Sequence, residues 1–187
     1  MSTGAASHHP GWHIRIAGPE DANGVFAIYE PIVTATAISF ETVPPSPDAL
    51  ADRIASANAT HRWLVADKGG HVAGYAYATS FRARHAYRYS VETSVYVHPQ
   101  HQGRGIGAAL YDKLFDELRD LGYYQAYAGI TLPNDASVAL HVRAGFRHIG
   151  TFPDVGFKFG RWHDVSWWHR PIQTGTPACH NRGARSS

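Results

Sequence analysis

The chain has 187 residues, 44% hydrophobic and 17% charged, enough for one globular domain with a sizeable core. Its formal charge is only +2 and no Lys/Arg run occurs, which argues against a nucleic-acid binder; no apolar stretch is long enough to span a membrane. The single Cys179 leaves no disulfide partner and fits a reducing, cytoplasmic setting.

The start, MSTGAASHHPGW, lacks the basic and apolar regions of a secretory signal. Residues 1–11 and 173–187 are poor in apolar anchors and read as flexible tails around one domain at 12–172. A first strand is expected at His13–Ala17. Pro19, Glu20 and Asp21 then open a helix, because proline tolerates a first turn and acids suit its dipole. After TATAISFET and the break at Pro44, Pro45 and Pro47, Ser46 caps a second helix carrying Leu50, Ile54 and Ala57. RWLVAD and HVAGYAYATS, joined by KGG, form an antiparallel hairpin. The alternating run Ser90–Val97 is the fourth strand.

A third helix begins near Ile106, with Ile106, Leu110, Leu114, Leu118 and Leu121 on one stripe, and Gly122 ends it. YYQAYAGI is a strand, NDASVALHVRAG a helix ended by Gly145, and FRHIGTF and HDVSWWHRP are closing strands. These elements give an α+β fold: a central, mostly antiparallel sheet of about seven strands flanked by about four helices.

Between the fourth strand and third helix lies QHQGRGIG. Glycines there let backbone N–H groups approach a ligand closely, and the helix start favours negative charge, so the turn suits a pyrophosphate. Two familiar phosphate loops do not fit: there is no Gly-Lys-Ser/Thr, and the glycines do not space as GxGxxG. What remains is Gln102-x-x-Gly105-x-Gly107.

That signature, its place after the fourth strand, and N-x-x-S leading to AGF on the last helix resemble the GNAT acetyltransferases, which bind acetyl-coenzyme A. SFET at 39–42, FRARHAY at 81–87, VETSVYV at 91–97 and GFKFGRWHDVSWW at 156–168 resemble one branch, the phosphinothricin and methionine sulfoximine N-acetyltransferases. The likeness covers roughly residues 13–171.

The resemblance implies a splay beside the fourth strand, where the backbones of Val95, Tyr96 and Val97 take the pantetheine arm like an added strand. Gln102, Gly103, Arg104, Gly105, Ile106, Gly107 and Ala108 would hold the pyrophosphate. Asn134 matches a pantetheine contact and equally well a plain helix cap. No metal is called for. Glu92 matches the branch's general base, and alternation puts it on the face opposite Val91, Thr93 and Val95. His141 stands where many family members place a tyrosine that protonates the departing thiolate.

For the acceptor, Arg82 and Arg84 offer cations to an anionic group, and Phe40 and Glu41 lie in a segment over the same pocket. Trp162, Trp167 and Trp168 read as core and interface packing. The implied activity is acetyl transfer from acetyl-coenzyme A to the α-amine of a small anionic amino-acid analogue, by direct attack in a ternary complex and in a homodimer. Two alternatives stay open: another small amine as acceptor, or a non-catalytic acyl-coenzyme A-binding module.

Overall fold

In the computed structural model, residues 11–177 are described, so residues 1–10 and 178–187 of the predicted tails, with Cys179, lie outside the described residues. One seven-stranded sheet runs in the order β1-β2-β3-β4-β5-β7-β6. Its strands are β1 (His13–Ile16), β2 (Trp63–Lys68), β3 (His71–Ser80), β4 (Ser90–Val97), β5 (Gln125–Thr131), β6 (Arg147–Lys158) and β7 (Arg161–Pro171). Every neighbouring pair is antiparallel except β4 and β5. The helices are α1 (Ala22–Ala35), α2 (Pro47–Thr60), α3 (Ile106–Asp120) and α4 (Asp135–Arg143).

Local chemistry sets many of these boundaries. The β2–β3 turn uses Gly69 and Gly70 at φ 62° and 83°, values that suit a two-residue hairpin and cost a residue with a Cβ. Ser46 caps α2 by accepting from the Ala49 N–H, with Pro47 at its first position. Asp21, expected inside a helix, instead ends a short 3-10 turn, Pro19–Asp21; its buried carboxylate takes two 2.7 Å bonds from Arg15 and one from the Gly18 N–H.

The sheet divides the core. On one face Leu64, Ala76, Val91, Ala126 and Trp168 pack under Ile106, Leu110, Leu114 and Leu118 of α3. On the other, Trp63, Val65, Val72 and Tyr75 pack under Val25, Ile28 and Val33 of α1 and Leu50 and Ile54 of α2. Burial of each such aliphatic side chain contributes roughly 1.5–3 kcal/mol, which holds both helix layers to the sheet. Leu121, expected on the α3 stripe, lies past the helix end and is exposed.

The last two strands run further than the sequence suggests. They continue to a tight turn at Phe159 and Gly160, both with positive φ, and β6 carries register shifts at His148/Gly150 and Phe152/Gly156. Ile149, Phe152, Val155, Phe157, Phe159 and Trp162 are exposed on this hairpin. Beyond β7, Ile172 is buried, and Gln173 donates to the Tyr123 carbonyl, so packing extends past the expected domain end.

Candidate active site

The site begins where the sheet opens. β4 and β5 pair only at Ser90–Gln125, Val91–Ala126 and Glu92–Tyr127; the Thr93 hydroxyl then donates to the Tyr127 carbonyl, and the strands separate. The β5-facing edge of β4 beyond Glu92 therefore has no partner strand, which is what an extended, amide-bearing ligand requires. Between the strands lies a narrow cavity of about 40 Å³, lined by Thr93–Tyr96, Gly129–Thr131 and Asn134, Ser137 and His141 of α4. Val95 and Tyr96 line this cavity, and Val97 follows them on β4.

At the far end of β4 the chain makes the glycine turn. Gly103 and Gly105 have φ 73° and 79°, so these positions demand glycine for backbone reasons. Gly107 is helical and serves differently: a Cβ there would stand 2.8 Å from Leu140, so its absence lets α3 approach α4. Ala109 is the first residue of α3 to close its hydrogen bond, onto the Gly105 carbonyl, leaving the N–H groups of Ile106, Gly107 and Ala108 free at the positive end of the helix. Gln102 donates to the Val97 carbonyl and ties the turn to β4. Arg104 is exposed beside it. An open strand edge leading to unpaired N–H groups fits acetyl-coenzyme A, its amide-rich arm along β4 and its pyrophosphate at α3.

Glu92 lies on the α1/α2 face of β4, because Thr79, Glu92 and Tyr127 are register partners in three adjacent strands. Burial pushes its pKa up and the charge of Arg82 pulls it partly back. A carboxylate raised toward neutrality is better matched to taking a proton than an ordinary surface one. Arg82 stacks on Phe81 at 5.0 Å. Arg84 is also exposed and precedes a 3-10 turn at His85–Tyr87. A cleft of about 670 Å³ opens on this face, with Thr79, Tyr77, Trp63 and Arg53 in its walls.

An aromatic wall that the sequence reading missed stands on the other side of Glu92. Phe81 stacks on Tyr127 at 4.3 Å, and Trp167 meets Phe81 at 6.2 Å and Phe152 at 5.8 Å. Of the three tryptophans assigned to packing, Trp168 is buried in the core and Trp162 is exposed against Phe157, but Trp167 faces the site. Period-two alternation places Tyr127 with Gly129 and Trp167 with His169; only the strand order shows that both pairs share Glu92's face.

His141 lines the slot and is buried. Its Nδ1 stands 2.8 Å from the Ser137 carbonyl, so Nδ1 carries the proton, and Nε2 accepts from the Tyr111 hydroxyl at 2.8 Å. Burial lowers its pKa, against the Ser137 bond. These bonds favour a structural role over the proton-donor role expected from the sequence, since the one ring proton is committed to Ser137. Asn134 caps α4 by accepting from the Ser137 N–H and also lines the slot.

The segment carrying Phe40 and Glu41 is braced from several sides. The Glu41 carboxylate takes 2.7 Å and 3.3 Å bonds from Arg53 and one from the Tyr29 hydroxyl, so it serves the segment itself. Phe40 rests on Gly156, where any Cβ would collide with its ring. Buried Lys158 donates to the Val33 and Ser39 carbonyls, both at 2.7 Å, pinning the end of α1 and the segment to β6.

This combination of splayed parallel strands, glycine turn and free helix N-terminus is an acyl-coenzyme A site. Residues 29–146 match the acetyltransferase (GNAT) family, and the chain belongs to that family. It is an acetyl-coenzyme A-dependent acyltransferase. It is 43% identical over 163 residues to a phosphinothricin N-acetyltransferase of Streptomyces coelicolor, covering 85% of this chain and 95% of that one. Against an L-methionine sulfoximine/L-methionine sulfone acetyltransferase of Pseudomonas aeruginosa, identity is 41%, with 82% and 91% covered. The crystal structure of a phosphinothricin acetyltransferase from Sinorhizobium meliloti with acetyl-coenzyme A superimposes with a TM-score of 0.83 at 38% identity, covering 89% and 91%. Among the described residues, no helix is long and apolar enough to cross a membrane, and no cluster of His, Cys, Asp or Glu is placed to hold a metal ion.

Proposed function

We propose that the enzyme acetylates the α-amine of a small amino-acid analogue bearing a second polar head, of the phosphinothricin, methionine sulfoximine or methionine sulfone kind. The observation that carries this reading is the placement of Glu92 between the open edge of β4 and Arg82, with its pKa raised by burial. Relatives named for those substrates, matching over most of both chains, point the same way.

Glu92 takes a proton from the acceptor's ammonium, directly or through one water, and the freed nitrogen attacks the thioester carbonyl carbon. A strand N–H at Val95 or Val97 donates to the carbonyl oxygen as negative charge develops there. The carbon–sulfur bond breaks, sulfur leaves as a thiolate that takes up a proton, and the new amide nitrogen sheds its second proton. His141 holds Ser137 and Tyr111 in place behind the slot. Arg82 and Arg84 meet the acceptor's carboxylate, and Phe40 covers its stem.

We infer a homodimer built through the β6–β7 hairpin, a reading supported by its exposed Ile149, Phe152, Val155, Phe157, Phe159 and Trp162. A single cysteine in the chain suits a reducing compartment.

The test is a thiol-release assay with acetyl-coenzyme A against phosphinothricin, methionine sulfoximine, methionine sulfone, glutamate and spermidine. Turnover of the first three supports the reading. Turnover of spermidine alone overturns it, because Arg82 and Arg84 would repel a polycation.

A further inference from the structure

The slot between β4 and β5 is a gap in the sheet, so it has two faces. Asn134, Ser137 and His141 line it from α4 and its cap, on the α3 side; every other lining residue belongs to β4 or β5 except Ile38. Ile38 comes from the stretch between α1 and α2, on the face of the sheet that also carries Glu92. Its side chain is 45% exposed and it belongs to no helix or strand. Irregular, exposed chain is ordinarily mobile, yet this residue is held on both sides.

Ahead of it, the Ile38 N–H donates to the Thr36 hydroxyl at 3.2 Å, and that hydroxyl donates to the Ile32 carbonyl of α1 at 2.6 Å. Behind it, the Ser39 hydroxyl shares a 2.8 Å bond with the buried Tyr29 hydroxyl. The firmest hold is Lys158. Its ammonium donates at 2.7 Å to the carbonyls of Val33 and Ser39, so one buried nitrogen gathers both ends of the bend at 33–39 that carries Ile38. Bonds from a charged donor are stronger than neutral ones, and a lysine is costly to bury where an apolar side chain would pack as well. What the cost secures here is the position of one short bend against the slot.

We propose that Ile38 is the wall of the slot on the acceptor's side, and that Lys158 is the positioning residue that sets it. This rests on the reading that the acceptor's amine arrives on the face of Glu92. Ile38 then confines the nitrogen's line of approach to the thioester carbonyl carbon, and in such a geometry a displacement of about 1 Å costs up to about 100-fold in rate.

The experiment measures kcat, melting temperature and the calorimetric dissociation constant of acetyl-coenzyme A for wild type, Ile38→Ala, Lys158→Met and the double variant, with the acceptor turned over fastest in the thiol-release panel. Ile38→Ala lowers kcat about 10-fold, and because its side chain is already exposed the melting temperature stays within about 1 °C. Lys158→Met lowers kcat about 10- to 100-fold and the melting temperature as well. Acetyl-coenzyme A binding stays within about 3-fold in every variant, since the β4 edge and the glycine turn are untouched. The double variant is within about 2-fold of Lys158→Met, because a wall already displaced cannot be lost twice. Unchanged kcat in Ile38→Ala overturns the wall. A Lys158→Met enzyme that melts earlier but keeps the wild-type kcat overturns the positioning role, and multiplied losses in the double variant overturn the link between the two residues. If Lys158→Met does not fold, Tyr29→Phe takes its place: it keeps the ring, removes the other bond on Ser39, and overturns the hold if kcat is unchanged. Should spermidine be the only acceptor, the acceptor class falls, while the same variants assayed with that amine still decide the role of Ile38.

Discussion

Replacing Tyr111 with Phe tests the reading of His141. The Tyr111 ring is wholly buried, and its hydroxyl is the donor to Nε2 of an imidazole that is itself 4% exposed. Phenylalanine keeps the ring contacts with Phe115 and Phe146, so the change isolates one hydrogen bond. Losing that bond and leaving a buried nitrogen unpaired costs about 1–3 kcal/mol. For a chain of this length each kcal/mol corresponds to about 2–4 °C, so the melting temperature should drop by about 2–12 °C. Circular dichroism melts of wild type, Tyr111→Phe, His141→Phe and the double variant form a cycle, and the two single losses should not add. Additive losses, or a Tyr111→Phe melt within about 1 °C of wild type, would refute the hydrogen-bonded pair and with it the assignment of the ring proton to Nδ1.

Three further outcomes follow from the charged groups. Glu92→Gln should lower kcat about 100- to 10,000-fold while calorimetry finds acetyl-coenzyme A binding intact; equal loss of binding would show that Glu92 shapes the coenzyme site instead. Because burial raises Glu92, the acid limb of kcat/KM should lie higher than an ordinary glutamate would set it, and Arg82→Ala, which removes the charge lowering it, should move that limb to higher pH still. Burial alone would raise Asp21, but Arg15 and the Gly18 N–H hold it below its ordinary value. Its contribution is therefore complete above about pH 4 and is lost as pH falls through the lower folded-state value. Asp21→Asn should cost about 1–3 kcal/mol at pH 7, since Arg15 keeps partial solvent contact, and the difference from wild type should shrink in acid melts; a constant difference would refute it.

What could be read from the sequence was whatever depends on neighbours in the chain. The Gly69–Gly70 hairpin, the Ser46 cap, the α3 stripe as far as Leu118 and the glycine turn all rest on spacings of a few residues, and each is where periodicity put it. The aromatic wall was not legible, because Phe81, Tyr127, Phe152 and Trp167 meet only once β5, β6 and β7 are ordered as β5-β7-β6. The Lys158 brace joins residues 125 and 119 positions apart, and nothing in GFKFG signals it. Glu41 looked available for a substrate because Arg53, its partner, belongs to the next helix. Pro31 sits inside α1, where local rules would have ended the helix and packing against the sheet carries it on.

The short β4–β5 pairing has a mechanical side. Four strands, β1 to β4, and three, β5 to β7, share a seam only three residue pairs long, so this is two half-sheets more than one continuous sheet. In the proposed binding mode, the arm of the acetyl donor would lie in that gap as a stretch of backbone that the gene does not encode. On that reading the seam gains backbone bonds when the donor binds and loses them when the product leaves. Loading would then add backbone pairing at the seam where neighbouring strands share the fewest residue pairs.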